Sequence, residues 1–148
     1  MATINANLSE LHLRVWQEEL GLSAKISEYG HIEFGRQGPG TLTIFLAGAD
    51  PGRATIQYRF VDDYFDIGLT TESALDVCNT VNMFSSCAML GASGGSIDAI
   101  LHLFYLPLDD TGDLPDEGFL RAFIGPAMSE IETAMKEFAH ELKKKTEE

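Results

Sequence analysis

The feature that most constrains the fold is a long apolar stripe in the last third of the chain. Apolar residues recur there at intervals of three or four over residues 119–142, a pattern that an amphipathic helix keeps on one face. The stripe crosses Gly125-Pro126 without losing phase, which favours one kinked, continuous helix over two helices joined by a loop. The stripe consists of Phe119, Leu120, Phe123, Ile124, Met128, Ile131, Met135, Phe138 and Leu142.

The first half of the chain predicts one helix followed by strands. Residues 8–20 place apolar side chains near one face, and Gly21 suits the left-handed conformation that ends many helices. From Ala24 to Val61, short alternating runs separated by glycine turns predict three strands in a meander. The clearest is 53–60, whose alternation is typical of a strand with one packed and one wet face.

A second helix and a hairpin are predicted before the last helix. Residues 71–85 have apolar side chains at helical spacing, and the glycine-rich loop 91–96 separates the strands Cys87–Leu90 and Ile97–Leu106. The second of these strands is apolar on both faces, so both faces should be covered, and a second subunit is one candidate cover. The predicted fold is α+β, with an antiparallel sheet packed by helices, the order α-β-β-β-α-β-β-α and a single domain over residues 1–148.

The charge balance argues against several classes of partner. The chain has 23 Asp and Glu against 10 Lys and Arg, a formal net charge of −13. A surface this negative opposes binding to nucleic acid and to anionic lipid. The first residues have neither the basic nor the apolar region of a signal peptide, and no apolar run is long enough to span a bilayer. We therefore expect a cytoplasmic protein that does not associate with membranes.

The residues alone predict no catalytic, cofactor or metal site. The loop 91–96 lacks the Lys-Ser/Thr pair of a phosphate-binding loop. The four histidines fall in four different predicted elements, without the spacing of a metal site. Cys78 and Cys87 fit neither a redox pair nor a zinc site and are expected to be buried free thiols. The adjacent acids at 62–63 and 109–110 are interpreted as solvated turn residues.

One long stretch of the chain has no basic residue. Between Arg59 and Arg121 there are 11 acids and no Lys or Arg. A region of one charge sign favours one of two roles. It either keeps the protein in solution, or it steers a basic segment of a partner protein towards the surface.

With this element order in hand, one segment resembles a known group of bacterial proteins. Leu75-Asp76-Val77-Cys78-Asn79-Thr80-Val81-Asn82, followed by a strand, a glycine turn and a second strand, resembles the YbjN family and the related class I type III secretion chaperones. Glu18-Glu19-Leu20-Gly21-Leu22 and Leu106-Pro107-Leu108-Asp109-Asp110 are also similar in style, so the resemblance covers nearly the whole chain. It implies the same element order in a small, acidic and homodimeric protein without catalytic residues or cofactors.

The resemblance implies a non-enzymatic protein-binding module, chaperone-like or regulatory, that holds a protein segment on a homodimeric acidic scaffold. Type III chaperones hold an unfolded segment of a secreted effector around hydrophobic grooves, whereas YbjN proteins are described as regulators of sensory transduction. Two alternatives stay open. The chain is a type III effector chaperone proper, or it is a small-ligand-binding or enzymatic α+β domain, which would have a deep pocket with convergent polar groups.

Two sets of residues are candidates for interaction surfaces. The homodimer interface is expected on helix 71–85 and strand 97–106, because the two-sided apolar strand exceeds what one small chain readily covers. A partner segment is expected on strand 42–46, which is apolar on both sides, with burial of both sides as the competing expectation. The dimer candidates are Leu75, Cys78, Val81, Asn82, Ile100, His102 and Phe104. The partner candidates are Leu42, Ile44, Phe45 and Leu46.

Overall fold

The described part of the chain forms a six-stranded antiparallel sheet with three helices. A computed structural model describes residues 6–46, 53–84, 88–104 and 114–146. The elements are α1 (Ala6–Leu20), β1 (Lys25–Ile26), β2 (Ile32–Gln37), β3 (Gly40–Leu46), β4 (Arg53–Val61), α2 (Thr71–Phe84), β5 (Met89–Ser93), β6 (Ser96–Phe104) and α3 (Glu117–Thr146). The strand order is β1-β2-β3-β4-β6-β5. The predicted fold class is confirmed, and the element order differs from the prediction only by the two-residue β1.

The core lies between the helices and one face of the sheet. The strand register aligns Ile32, Ile44, Ile56 and Leu101 across β2, β3, β4 and β6, and all four side chains are buried. On the helix side, α1 contacts β1 and β2, α2 contacts β5, and α3 contacts β6 and both other helices. Since successive side chains of a strand point to opposite faces, the alternate residues of these strands form a second face on which none of the described helices packs.

The helix α3 runs without interruption through Pro126, so the predicted continuous helix is confirmed. Leu120, Ile124 and Ile131 are buried at the centre of its apolar face. Phe123 is only partly buried and Phe119 is exposed. The stripe is wider than the surface that the helix buries, so these two aromatic residues lie at the margin of the core.

The helix α2 begins with a reciprocal cap. The Thr70 hydroxyl accepts the Ser73 backbone N–H at 3.1 Å, and the Ser73 hydroxyl accepts the Thr70 backbone N–H at 2.8 Å. The buried face of α2 includes Ala74 and Val77. This face is rotated from the predicted one, which leaves Leu75 exposed on the outer side of the helix.

The glycine loop of the hairpin is shorter than predicted. The strands β5 and β6 pair as far as Ser93 and Ser96, so only Gly94 and Gly95 connect them. Both glycines have positive φ, 61° and 91°, as a two-residue turn matched to the strand twist requires. Cys87, which was predicted to begin the first strand of this hairpin, lies outside the described residues.

A histidine is fully buried between α1 and the rest of the core. His12 Nδ1 accepts the indole N–H of Trp16 at 3.2 Å, and both side chains are shielded from solvent. Burial lowers the pKa of His12 from 6.5 to about 4, because the core cannot solvate the charged ring. At neutral pH the folded protein therefore holds this ring in its uncharged form.

We expect the folded protein to lose stability as the pH falls from 6.5 to 4. In this window the unfolded chain protonates His12 and the folded chain does not, so the unfolded state binds more protons. The stabilisation is complete above pH 6.5 and decreases by about 3 kcal/mol as the pH approaches 4. Urea unfolding at a series of pH values measures this decrease.

The control for this prediction is His12→Gln, which retains a hydrogen-bond acceptor but cannot titrate. Its free energy of unfolding should fall less steeply with decreasing pH than that of the wild type. The carboxylates titrate equally in both proteins, so parallel pH profiles would contradict the role given to His12.

Candidate functional site

The predicted dimer-interface residues lie in different layers of the molecule. Cys78 and Val81 are buried under α2, where they pack in the core, so their prediction as interface residues is wrong. Burial also raises the pKa of the Cys78 thiol to about 11, as expected for an unreactive core cysteine. Leu75 is exposed on the helix layer, whereas Ile100 and His102 lie on the opposite face of the sheet. The side chain of Phe104 lies outside the described residues.

Asn82, another of the predicted interface residues, has a structural role in the chain. Its amide group donates to the Leu90 carbonyl oxygen at 2.8 Å, and its Oδ1 accepts the Leu90 backbone N–H at 2.7 Å. Leu90 lies in β5, a strand at the edge of the sheet. In an antiparallel edge strand, the N–H and C=O of one residue both point to the neighbouring strand, and those of the next residue both point away from the sheet. The Asn82 side chain therefore takes the place of a further strand and joins α2 to the sheet edge.

The predicted partner site on β3 is reduced to one residue. Leu42, Ile44 and Leu46 are buried in the core beneath the helix layer, so their prediction as partner-binding residues is wrong. Phe45 points to the other face and is exposed. Its ring meets the ring of His31 edge to face, with 5.0 Å between the centroids. Of this set, only Phe45 is available to a partner.

The face of the sheet without helices, which we call the helix-free face, has an uncharged centre. Thr43, Gln57, Ile100 and Met89 form one row across four strands, and Phe45, Thr55 and His102 form the next. Met89 and Phe45 are exposed, Ile100 is partly exposed, and Thr55 Oγ1 lies 3.0 Å from His102 Nδ1. These seven residues are called the central patch, and none of them is Asp, Glu, Lys or Arg.

Charged side chains surround the central patch and are mostly paired. Arg59 bonds to Asp98 at 2.8 Å, Lys25 lies 3.8 Å from Glu33, and Arg36 bonds to Asp62 at 2.7 Å. Hydrogen bonding to Asp98 raises the pKa of the Arg59 guanidinium. Arg53, two residues before Thr55 in β4, is exposed on the same face. The pairs and Arg53 form a charged rim around a neutral centre.

A second apolar surface lies where the loop after β4 meets α2. Tyr64 and Leu69 are buried, and the Leu69 backbone N–H donates to the Tyr64 carbonyl oxygen at 3.0 Å. The Tyr64 backbone N–H donates to the Gly95 carbonyl oxygen at 2.7 Å, which anchors the loop on the β5–β6 hairpin. Between these anchors, Phe65 and Ile67 are exposed. The Tyr64 hydroxyl lies 3.0 Å from the Thr71 hydroxyl, which holds the loop against the start of α2. We call the exposed apolar and acidic residues of this segment the loop–α2 surface; they are Asp63, Phe65, Asp66, Ile67, Glu72 and Leu75.

The loop–α2 surface contains the unpaired acids of the long acidic stretch. Basic residues from elsewhere in the chain neutralise four of the eight described acids between Arg59 and Arg121. These four are Asp62 with Arg36, Asp76 with Lys145, Asp98 with Arg59, and Glu117 with Arg14 and Arg121. Asp116 caps α3 by accepting the Phe119 N–H at 3.1 Å. Asp63, Asp66 and Glu72 have no ion pair in the described part of the chain.

An apolar groove of about 370 Å³ lies between β6 and α3. It is the place where a small-ligand domain would bind its ligand, but its two polar lining residues, His102 and Glu130, already have partners within the chain. Among the described residues, no group of three or more His, Cys, Asp or Glu could hold a metal ion, and no helix is long and apolar enough to cross a bilayer. The groove is lined by Leu101, His102, Phe123, Pro126, Ala127 and Glu130.

No protein-family model matches this chain, and no curated protein is similar enough to be matched with it. The resemblance to the YbjN family and the secretion chaperones therefore stays a prediction.

We expect Asn82→Ala to destabilise the protein by about 1–3 kcal/mol, because it leaves a backbone donor and acceptor of β5 without partners. The control is Asn79→Ala, an exposed position on the same helix with the same gain in helix propensity. Its effect should stay within about 0.5 kcal/mol. Urea unfolding of both variants measures the difference, and equal stabilities would contradict the bridging role of Asn82.

Proposed function

We propose that this protein is a non-enzymatic, homodimeric protein-binding module that holds a basic segment of a partner protein on the loop–α2 surface. The observation that carries the proposal is the combination, on one short piece of chain, of exposed apolar side chains and unpaired acids. Phe65, Ile67 and Leu75 are exposed. Asp63 and Glu72 flank them without basic neighbours in the sequence.

The two kinds of side chain have different effects on binding. Burying exposed apolar surface supplies most of the affinity of a protein contact. Unpaired carboxylates attract a basic segment from a distance and raise the association rate, while they add less to the affinity. A segment that alternates basic and apolar residues matches this surface, whereas nucleic acid and acidic segments do not.

The resemblance to secretion chaperones and YbjN proteins supports the same class of function. In the chaperone-like version the bound segment is unfolded, and in the regulatory version the binding changes the activity of the partner. A likeness of fold does not choose between them, because function depends on the site and its chemistry. The identity of the captured protein is the observation that separates the two versions.

The apolar part of the proposal is tested by comparing capture from a native lysate. The double variant Phe65→Ser, Ile67→Ser should retain a given partner at least roughly tenfold less than the wild type, since it removes the two apolar anchors. The control, Leu22→Ser with Tyr29→Ser, removes two other exposed apolar residues. Quantitative mass spectrometry measures the capture. A partner lost equally from both variants, or from neither, would refute binding at this surface.

The acidic part is tested by the effect of salt on association. With a captured partner, raising the ionic strength should slow association several-fold and change dissociation little, because salt screens the long-range field more than the desolvated contacts. The triple variant Asp63→Asn, Asp66→Asn, Glu72→Gln should associate slowly and depend little on salt. The control, Glu10→Gln, Glu28→Gln, Glu137→Gln, makes the same change in net charge at exposed positions elsewhere. If the two triple variants behave alike, the acids of the loop–α2 surface do not steer the partner.

A further inference from the structure

We infer that the helix-free face of the sheet is the surface on which a second copy of this chain docks, with the central patch in the middle of the interface. This inference deepens the homodimeric part of the proposed function and rests on it. Of the predicted interface, it keeps Ile100 and His102 of β6 and leaves out α2. Three independent features lead to it: the charge distribution, the anatomy of the face and the character of the edge strands.

The charge distribution favours the helix-free face for self-association. Four basic residues lie on it or on its rim, Lys25, Arg36, Arg53 and Arg59, against the three acids Glu33, Asp62 and Asp98, so the face carries 4 − 3 = +1. The described residues outside this face include 14 acids and 6 basic residues, so they carry 6 − 14 = −8. Two copies that meet through this face keep their acidic helix layers on the outside. Those layers are then separated by more than the Debye length of about 8 Å at physiological salt.

The face has the anatomy of a protein interface. Interfaces are depleted of charged residues at their centre and polar at their rim. The central patch has no charged residue, and Phe45, Ile100 and Met89 offer apolar area there. Most of the rim charges are already paired within the chain, as Arg59 is with Asp98, so contact with a second copy leaves few charges without a partner.

The edge strands disfavour the alternative in which two sheets join edge to edge. At one end, Asn82 occupies the outward backbone groups of Leu90 in β5. At the other end, β1 has only two residues and carries Lys25, a common device against edge pairing. A second copy is therefore expected to stack on the face instead of extending the sheet.

The loop–α2 surface is a poor place for a second copy, although it is apolar. A symmetric dimer brings the same patch of both subunits together. Docking there would place Asp63, Asp66 and Glu72 of one copy against the same three acids of the other. The helix-free face carries only +1, with its three acids paired to basic residues, so a second copy meets much less repulsion there. The loop–α2 surface therefore suits a basic partner, and the helix-free face suits a second copy.

The test is the mass of the full chain in solution at micromolar concentration. Sedimentation equilibrium of the wild type should give twice 16.2 kDa. The single variants Phe45→Asp and Met89→Asp, on different strands of the central patch, should each raise the dimer dissociation constant roughly 100-fold, since each puts two new carboxylates into one interface. The matched control is Leu75→Asp on α2, which should leave the constant within about threefold. The three positions are similarly exposed, at 36%, 47% and 41%, so folding should survive, and circular dichroism checks it.

Two results would overturn the inference. The first is a mass of 16.2 kDa for the wild type throughout the micromolar range. The second is a dimer that Leu75→Asp dissociates while Phe45→Asp and Met89→Asp do not, which would assign the interface to α2. Capture of a partner is measured separately. If the protein is a monomer that still binds its partner through Phe65 and Ile67, the inferred dimer is wrong and the proposed binding surface is supported. If it is a dimer that does not bind a partner there, only the proposed binding surface is wrong.

Discussion

The packing of α3 against β6 and against both other helices is the interaction on which the rest of the structure depends. Its buried residues, among them Leu120, Ile124 and Ile131, cover β6, and the helix also packs against α1 and α2, which lie over opposite ends of the sheet. Ion pairs add to the contact with α1, where Arg121 binds Glu18 and Glu19. Because α3 gathers all three helices on one face, the other face has no cover from the described helices.

Much of this architecture follows from short-range patterns in the sequence. The stripe of α3, the left-handed Gly21 at the end of α1, and the glycine turn between β5 and β6 are local features, and each one predicts its element. The strand order is not local. The pairing of β6 with β4 joins segments that are far apart in the sequence. The alternation of residues 53–60 predicts a strand with one packed face, but it does not predict which strands pair with it.

The candidate surfaces were harder to predict for the same reason. A period of two shows that Leu42, Ile44 and Leu46 share a face and that Phe45 lies on the other, but not which face the helices cover. The apolar spacing of α2 predicts a helix, but it defines the buried face only to within about one residue. The structure therefore buries Ala74 where the spacing predicts Leu75. Likewise, the count of 11 acids without a base concerns the sequence alone, since Arg36, Arg121 and Lys145 reach some of these acids only after folding.

The same charge distribution that separates the two surfaces also makes salt act on them in opposite directions. A basic partner is attracted by unpaired acids, so added salt screens an attraction and slows its capture. A second copy is repelled by the net charge of −13 that each chain carries, so added salt screens a repulsion and favours the dimer. The central patch contributes no net charge to either effect, and burial of Phe45, Ile100 and Met89 is insensitive to screening. Once salt has screened the repulsion, the stability of the dimer is therefore set by its apolar contacts. For the partner, salt changes mainly the association rate.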